Sequence, residues 1–206
     1  MTNEIVAWDF DVPSDWFRLP LETRGGMRWA AQFANEVAAE LEAESELGIL
    51  ATQLEDVQGE LADLGIGLDL APSVDVNSSP DNPVIGVRSF GADAEVVSRH
   101  GAAWVDGLQS RGVAACAKHF PGHGDTATDS HHDLPRIGAP LEVLRERELA
   151  PFRAAVEAGV ATIMTSHIVV DALDAQRPAT FSPVVLGVLR DELGFTGVIV
   201  SDALDM

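Results

Sequence analysis

VAACAKHFPGHGDTATDSHHDLP, residues 113–135, decides how the chain is read. Its first five residues are apolar and the next two, Lys118 and His119, are not; Pro121, Gly122 and Gly124 then break any regular element. A short apolar run that ends in polar residues and a Gly/Pro loop reads as a strand delivering side chains to the rim of a sheet. The segment also holds four of the six histidines in the chain, so the loop, and not only the strand, carries chemistry.

The same rhythm occurs three more times, in LGIGLDLAPSVDV (64–76), VATIMTSH (160–167) and TGVIVSD (196–202). Helical segments fall between the runs. One passes through Val96, Val97, Trp104 and Leu108. A second, PLEVLRERELAPFRAAVEAG (140–159), must be kinked or divided by Pro151, which has no amide hydrogen to donate. The third, VVLGVLRDELG (184–194), has Ser182 and Pro183 as N-cap and first-turn pair and Gly194 as C-terminal cap. Strands alternating with helices imply parallel βαβ units, and continuous apolar runs imply strands covered on both faces.

Two architectures satisfy that pattern, an open doubly wound sheet and a (β/α) barrel. Asp75, Lys118 with His119, His167 and Asp202 each lie just beyond the apolar part of a successive strand. A barrel gathers polar groups from many strand ends, whereas a doubly wound sheet concentrates them at one switch point. No glycine-rich dinucleotide or phosphate loop follows any strand. The fold expected is therefore α/β, a partial (β/α)8 TIM-type barrel with parallel strands.

Composition bounds the rest. The 206 residues, 46% of them hydrophobic, can bury a core in one domain. Thirteen basic against thirty-three acidic residues give a net charge of −20, which disfavours nucleic acid and anionic membrane as partners. No apolar run approaches the roughly 18 residues of a spanning helix. The start, MTNEIVAWDFDVPSDW, is acidic where a secretory signal is basic and then apolar, so the expected location is cytoplasmic. The lone Cys116, within VAACA, excludes an internal disulfide and reads as a packing residue. Residues 1–56 have a different texture, with scattered Trp and Phe and then a helical spacing through Trp29, Phe33, Val37 and Leu41. A heptad-like helix follows from Leu47 to Leu64.

Three chemistries compete for the loop. His119 and His123 are four apart, but Pro121 and Gly122 between them prevent a helix from presenting both to a metal. His132 and His100 need no special task. Asp129-Ser130-His131, by contrast, places a carboxylate where it can orient an imidazole and raise its basicity, which suits acid/base catalysis near neutral pH. Asp202, after a β-branched strand, would be the rigid partner. An ionised aspartate facing a proton donor is the arrangement of retaining glycosidases. Lys118, His119 and Arg88 can hydrogen-bond sugar hydroxyls.

KHFPGHGDTATDSHHDLP, APSVDV, VRSFG (87–91), MTSH and GFTGVIVSDALDM together resemble the barrel domain of glycoside hydrolase family 3, in its bacterial β-N-acetylhexosaminidase branch. The motifs run in family order from about residue 60 to the last residue, so the expected division is an unmatched segment 1–56 and a barrel segment 57–206. The resemblance implies Asp202 as nucleophile, His131 as general acid/base and Asp129 as its orienting partner. It implies that Arg88, Lys118, His119, His167 and Asp75 line the sugar site. The substrate implied is a terminal N-acetylglucosaminyl sugar of peptidoglycan recycling, with no cofactor and no metal; some relatives use phosphate in place of water.

Two departures complete the expectation. The family's early strands and its acidic D-x-E-G-G-R-V segment have no counterpart before residue 57, and the chain stops at Met206, just past the nucleophile position. A full barrel takes about 250 residues. Half a barrel leaves strand edges unpaired, which implies self-association or a complementing chain at those edges. The alternative function is a catalytically inactive remnant that binds sugar or a partner.

Overall fold

The computed structural model describes residues 59–80, 82, 84–126 and 134–204. The helix read at 29–41, residues 47–58 of the helix read at 47–64, and the segment 1–56 as a whole lie outside them; of the remainder, residues 59–63 are helical and Leu64 is in a turn. The expected parallel sheet is present. Strands β1 (Leu68–Asp69), β2 (Ala114–Phe120), β4 (Thr162–Thr165) and β6 (Val198–Ser201) lie side by side in that order, every pair parallel. A small second sheet pairs β3 (Arg136–Ile137) with β5 (Val169–Val170), again in parallel.

The helices follow from local signals. Helix α1 (Ala94–Ser110) starts at Asp93, whose side chain accepts from the amides of Glu95 and Val96. Its buried face is Val97, His100, Gly101, Val105 and Leu108, while Val96 and Trp104 are only partly buried. The stretch containing Pro151 is divided as its chemistry requires. A short turn (Leu141–Val143) leads into a π turn (Leu144–Glu148), and helix α2 (Leu149–Glu157) begins two residues before the proline. Widening the ladder there removes the need for the amide that Pro151 lacks. Ser182 caps helix α3 (Pro183–Gly187) by accepting from the Val185 amide at 3.2 Å. Gly194 closes the segment at φ +69°.

The core lies between the sheet and helices α1 and α2. Phe120 at the end of β2 meets Phe152 of α2 edge-on, 5.2 Å between centroids, and both are fully buried. Val74, Val105, Leu108, Ala115, Ala117, Leu149 and Ile163 fill the same layer. Burying such side chains contributes about 1.5–3 kcal/mol each and holds the strand ends in register. Strand β4 is buried along its whole length, but β6, with no strand beyond it among the described residues, is exposed or half-exposed throughout. Because all four strands run the same way, the segments after β1, β2, β4 and β6 meet at one carboxyl edge.

Candidate active site

Lys118 and His119 stand at the end of β2. The backbone of Lys118 is fastened to the segment after β1, its amide donating to Pro72 and its carbonyl accepting from Val74. Burial lowers the ammonium's pKa and nearby Arg88 lowers it further, whereas the negative groups Asp69 and Asp202 act in the opposite sense. Those couplings place Arg88, Lys118, Asp69 and Asp202 in one electrostatic neighbourhood. Arg88 is exposed; its Nε and Nη2 donate to the Val84 carbonyl at 3.1 and 2.8 Å, which fixes the plane of the guanidinium.

Asp75 departs from its expected place. Expected to line the sugar site, it is fully buried and its carboxylate is taken up by hydrogen bonds within the protein. Oδ1 accepts from the His123 amide at 2.7 Å; Oδ2 accepts from Ser73 Oγ at 2.9 Å and from His119 Nδ1 at 2.7 Å; the His119 amide reaches both oxygens at 3.2 Å. Burial alone would raise its pKa, but the His119 imidazole and these donors override that and hold it at about 2. An ionised carboxylate can only accept, so His119 carries its proton on Nδ1. Nε2 then has no partner among the described residues, and the His119 ring is oriented from below.

The loop after β2 is braced residue by residue up to Thr126. Thr126 Oγ1 donates to the His123 carbonyl at 2.9 Å, so the 2.6 Å contact to His123 Nδ1 is a donation from the ring. Asn82 donates to the His123 carbonyl and accepts from the amides of Val84 and Ile85. Asp125 accepts from Ser78 and from Arg147, whose Nε also donates to the buried Glu148 at 2.7 Å. Burial raises the Glu148 pKa against the pull of Arg147.

Gly124 shows how close the brace is: a Cβ there would stand 1.7 Å from the Val76 carbonyl oxygen. Backbone cannot rotate out of the way. Gly124→Ala is expected to cost about 3 kcal/mol or more, read from the urea midpoint. Gly101→Ala, whose Cβ would meet only the Val74 side chain at 2.7 Å, should cost about 1 kcal/mol.

Asp202 extends the β4–β6 ladder by one residue, its amide donating to the Thr165 carbonyl at 3.0 Å. Its Oδ1 accepts from the Ala203 amide at 2.9 Å, and Oδ2 has no hydrogen-bond partner among the described residues. His167, expected on the sugar side, has its Nε2 on the Ala203 carbonyl at 2.9 Å, and its ring is stacked on Phe181. Asp129 and His131 lie outside the described residues, as does His132. The segment that bears them leaves from the braced Thr126 and returns at Pro135, whose carbonyl accepts from Val169 beside the β3–β5 pair. Among the described residues no cluster of three or more His, Cys, Asp or Glu is arranged to hold a metal ion. None of the described helices is long and apolar enough to cross a membrane.

Residues 27–206 match the model of the glycosyl hydrolase family 3 N-terminal domain. The chain belongs to glycosyl hydrolase family 3. Among curated members, it is 45% identical over 172 residues to β-hexosaminidase A of Pseudoalteromonas piscicida, covering 77% of this chain and 29% of that protein. It is 40% identical over 190 residues to a β-hexosaminidase of Neisseria meningitidis serogroup C, covering 92% of this chain and 50% of that one. The chain thus spans half or less of the length of these two relatives. Two solved structures share its fold, the first of them a glycoside hydrolase family 3 enzyme. A β-N-acetylglucosaminidase from Paenibacillus sp. strain FPU-7 superposes with TM-score 0.76 at 49% identity, over 78% of this chain and 31% of that one. NagZ from Neisseria gonorrhoeae superposes with TM-score 0.77 at 36% identity, over 85% and 51%.

Several residues around this candidate site were not singled out from the sequence. Asp69 is the clearest. Partial burial raises its pKa while Lys118 lowers it, and its visible signal was an acid inside the apolar run LGIGLDL. Asn82, Thr126, Asp125 and Arg147 form the loop brace across up to 44 residues of sequence, a separation that no local pattern reveals.

Proposed function

We propose that this chain hydrolyses terminal β-linked N-acetylglucosamine by a retaining, two-step displacement. Asp202 Oδ2 attacks the anomeric carbon; the bond to the aglycone oxygen breaks, and His131, oriented by Asp129, gives that oxygen its proton. In the second step His131 takes a proton from water, the water oxygen bonds to the anomeric carbon, and Asp202 leaves with its electron pair. Arg88, Lys118 and His119 Nε2 hold sugar hydroxyls. The named relatives, which are β-hexosaminidases and β-N-acetylglucosaminidases, support the substrate class. A cytoplasmic role in peptidoglycan recycling follows from the same reading. Association with a further chain at β1 and β6, the outer strands of the sheet among the described residues, belongs to it too, and sedimentation measures that directly.

The observation that carries the proposal is the meeting at one sheet edge of Asp202, whose amide pairs with Thr165 and whose Oδ2 has no partner among the described residues, with the end of β2 that bears Lys118, where Phe120 pairs with the same Thr165. The test is release of 4-nitrophenol from 4-nitrophenyl N-acetyl-β-glucosaminide by the full chain, with NMR of the first-formed sugar. Turnover giving the β-anomer supports the reading. Well-folded protein that binds N-acetylglucosamine in calorimetry without turning over the glycoside would show a sugar-binding module in its place. Faster release on adding phosphate would identify the acceptor as phosphate.

A further inference from the structure

We propose that His167 is a positioning residue for the Asp202 carboxylate and not a ligand of the sugar. The inference rests on the reading of Asp202 as nucleophile. His167 follows β4 and Asp202 follows β6, and the register Thr165 to Ser201 makes the two strand ends immediate neighbours. The Ala203 carbonyl has no proton to give, so His167 Nε2 donates to it at 2.9 Å. The Ala203 amide in turn donates to Asp202 Oδ1 at 2.9 Å. Both peptide groups flanking the Ala203 Cα are therefore tied, one to the imidazole and one to the carboxylate, and the N–H aimed at Oδ1 is held in place.

The imidazole is itself held. Phe181 lies almost parallel to it, at 11° and 6.1 Å between centroids. The preceding residue, Thr180, donates to the Ser166 carbonyl at 3.0 Å and meets Thr165 Oγ1 at 3.0 Å, so the segment carrying the stack is fastened to the strand end carrying the histidine. The Nε2 hydrogen is taken by the Ala203 carbonyl and is not offered to a sugar hydroxyl. The arrangement instead aims one oxygen of Asp202 and leaves the other to react, and a misplacement of about 1 Å at such a group costs about a hundredfold in rate.

Two variants separate the roles. His167→Phe keeps a flat ring on Phe181 and loses the N–H; His167→Gln restores an N–H donor. In glycoside turnover by the full chain, His167→Phe is expected to lower kcat about ten- to a hundredfold with KM within about twofold, and His167→Gln to recover most of the loss. A raised KM with unchanged kcat would assign His167 to the sugar and overturn the proposal. Hydrogen exchange at the Ala203 amide, followed by NMR, tests the same link without turnover. Exchange about tenfold faster in His167→Phe and restored in His167→Gln is the expected result. Wild-type exchange in His167→Phe would overturn the positioning role even if the chain is active. If the wild type does not turn over, the function reading fails and the exchange result still decides the role of His167.

Discussion

Asp202→Asn is expected to lower glycoside turnover by about a thousandfold or more, about 4 kcal/mol of transition-state stabilisation, with little change in folding. The amide has the carboxylate's shape and can still accept from Ala203 through Oδ1, so the strand end keeps its geometry. What it lacks is the anionic oxygen that bonds to the anomeric carbon. Removing the charge also removes one of the groups that favour the charged form of Lys118, so that ammonium's pKa falls further below the ordinary lysine value. Affinity for free N-acetylglucosamine should persist. A loss below about tenfold, with an unchanged melting midpoint, would mean that Asp202 does not form the covalent bond.

Asp75→Asn is expected to have the largest effect on stability, a loss of about 3 to 5 kcal/mol at neutral pH measured by urea unfolding. The wild-type carboxylate receives hydrogens from Ser73, from the amide and ring of His119 and from the His123 amide. An asparagine of the same size turns an NH2 group toward these donors and leaves buried hydrogens without acceptors. The pH dependence distinguishes this account from a packing defect. The folded pKa is about 2 against an ordinary 3.8, so the stabilisation is complete above about pH 4 and is lost as the pH falls toward 2. The gap between wild type and Asp75→Asn should therefore narrow over that interval, by about 2 kcal/mol. Glu148, whose pKa burial raises, acts in the opposite sense: its penalty is present at neutral pH and is relieved on acidification toward its ordinary 4.5. A gap unchanged between pH 5 and pH 2 would show that Asp75 is not ionised in the folded state.

The fold was legible in the chain because its signals are local. Four apolar runs became the four parallel strands, Ser182 and Pro183 opened a helix as their chemistry requires, and Pro151 sits just past a π turn in its helix. The β3–β5 pair was not legible, because two-residue strands such as Arg136–Ile137 have too little length for a period. The same division runs through the site. Spacing shows that Lys118, His167 and Asp202 stand at strand ends, since a residue just beyond an apolar run has few other places to be. It does not show which way each side chain turns.

By itself, then, the sequence determined the parallel α/β architecture, the family and the position of Lys118, His119, His167 and Asp202 just past the apolar runs. Only the tertiary structure decided which way each side chain turns there. Asp75 turns inward because the amides of His119 and His123 and the hydroxyl of Ser73 converge on it inside the protein, and a buried carboxylate goes where donors are. His167 turns to the Ala203 carbonyl because the neighbouring strand ends bring that acceptor within 2.9 Å. Donor and acceptor placement across tens of residues is a property of packed backbone, and no local pattern of side chains encodes it.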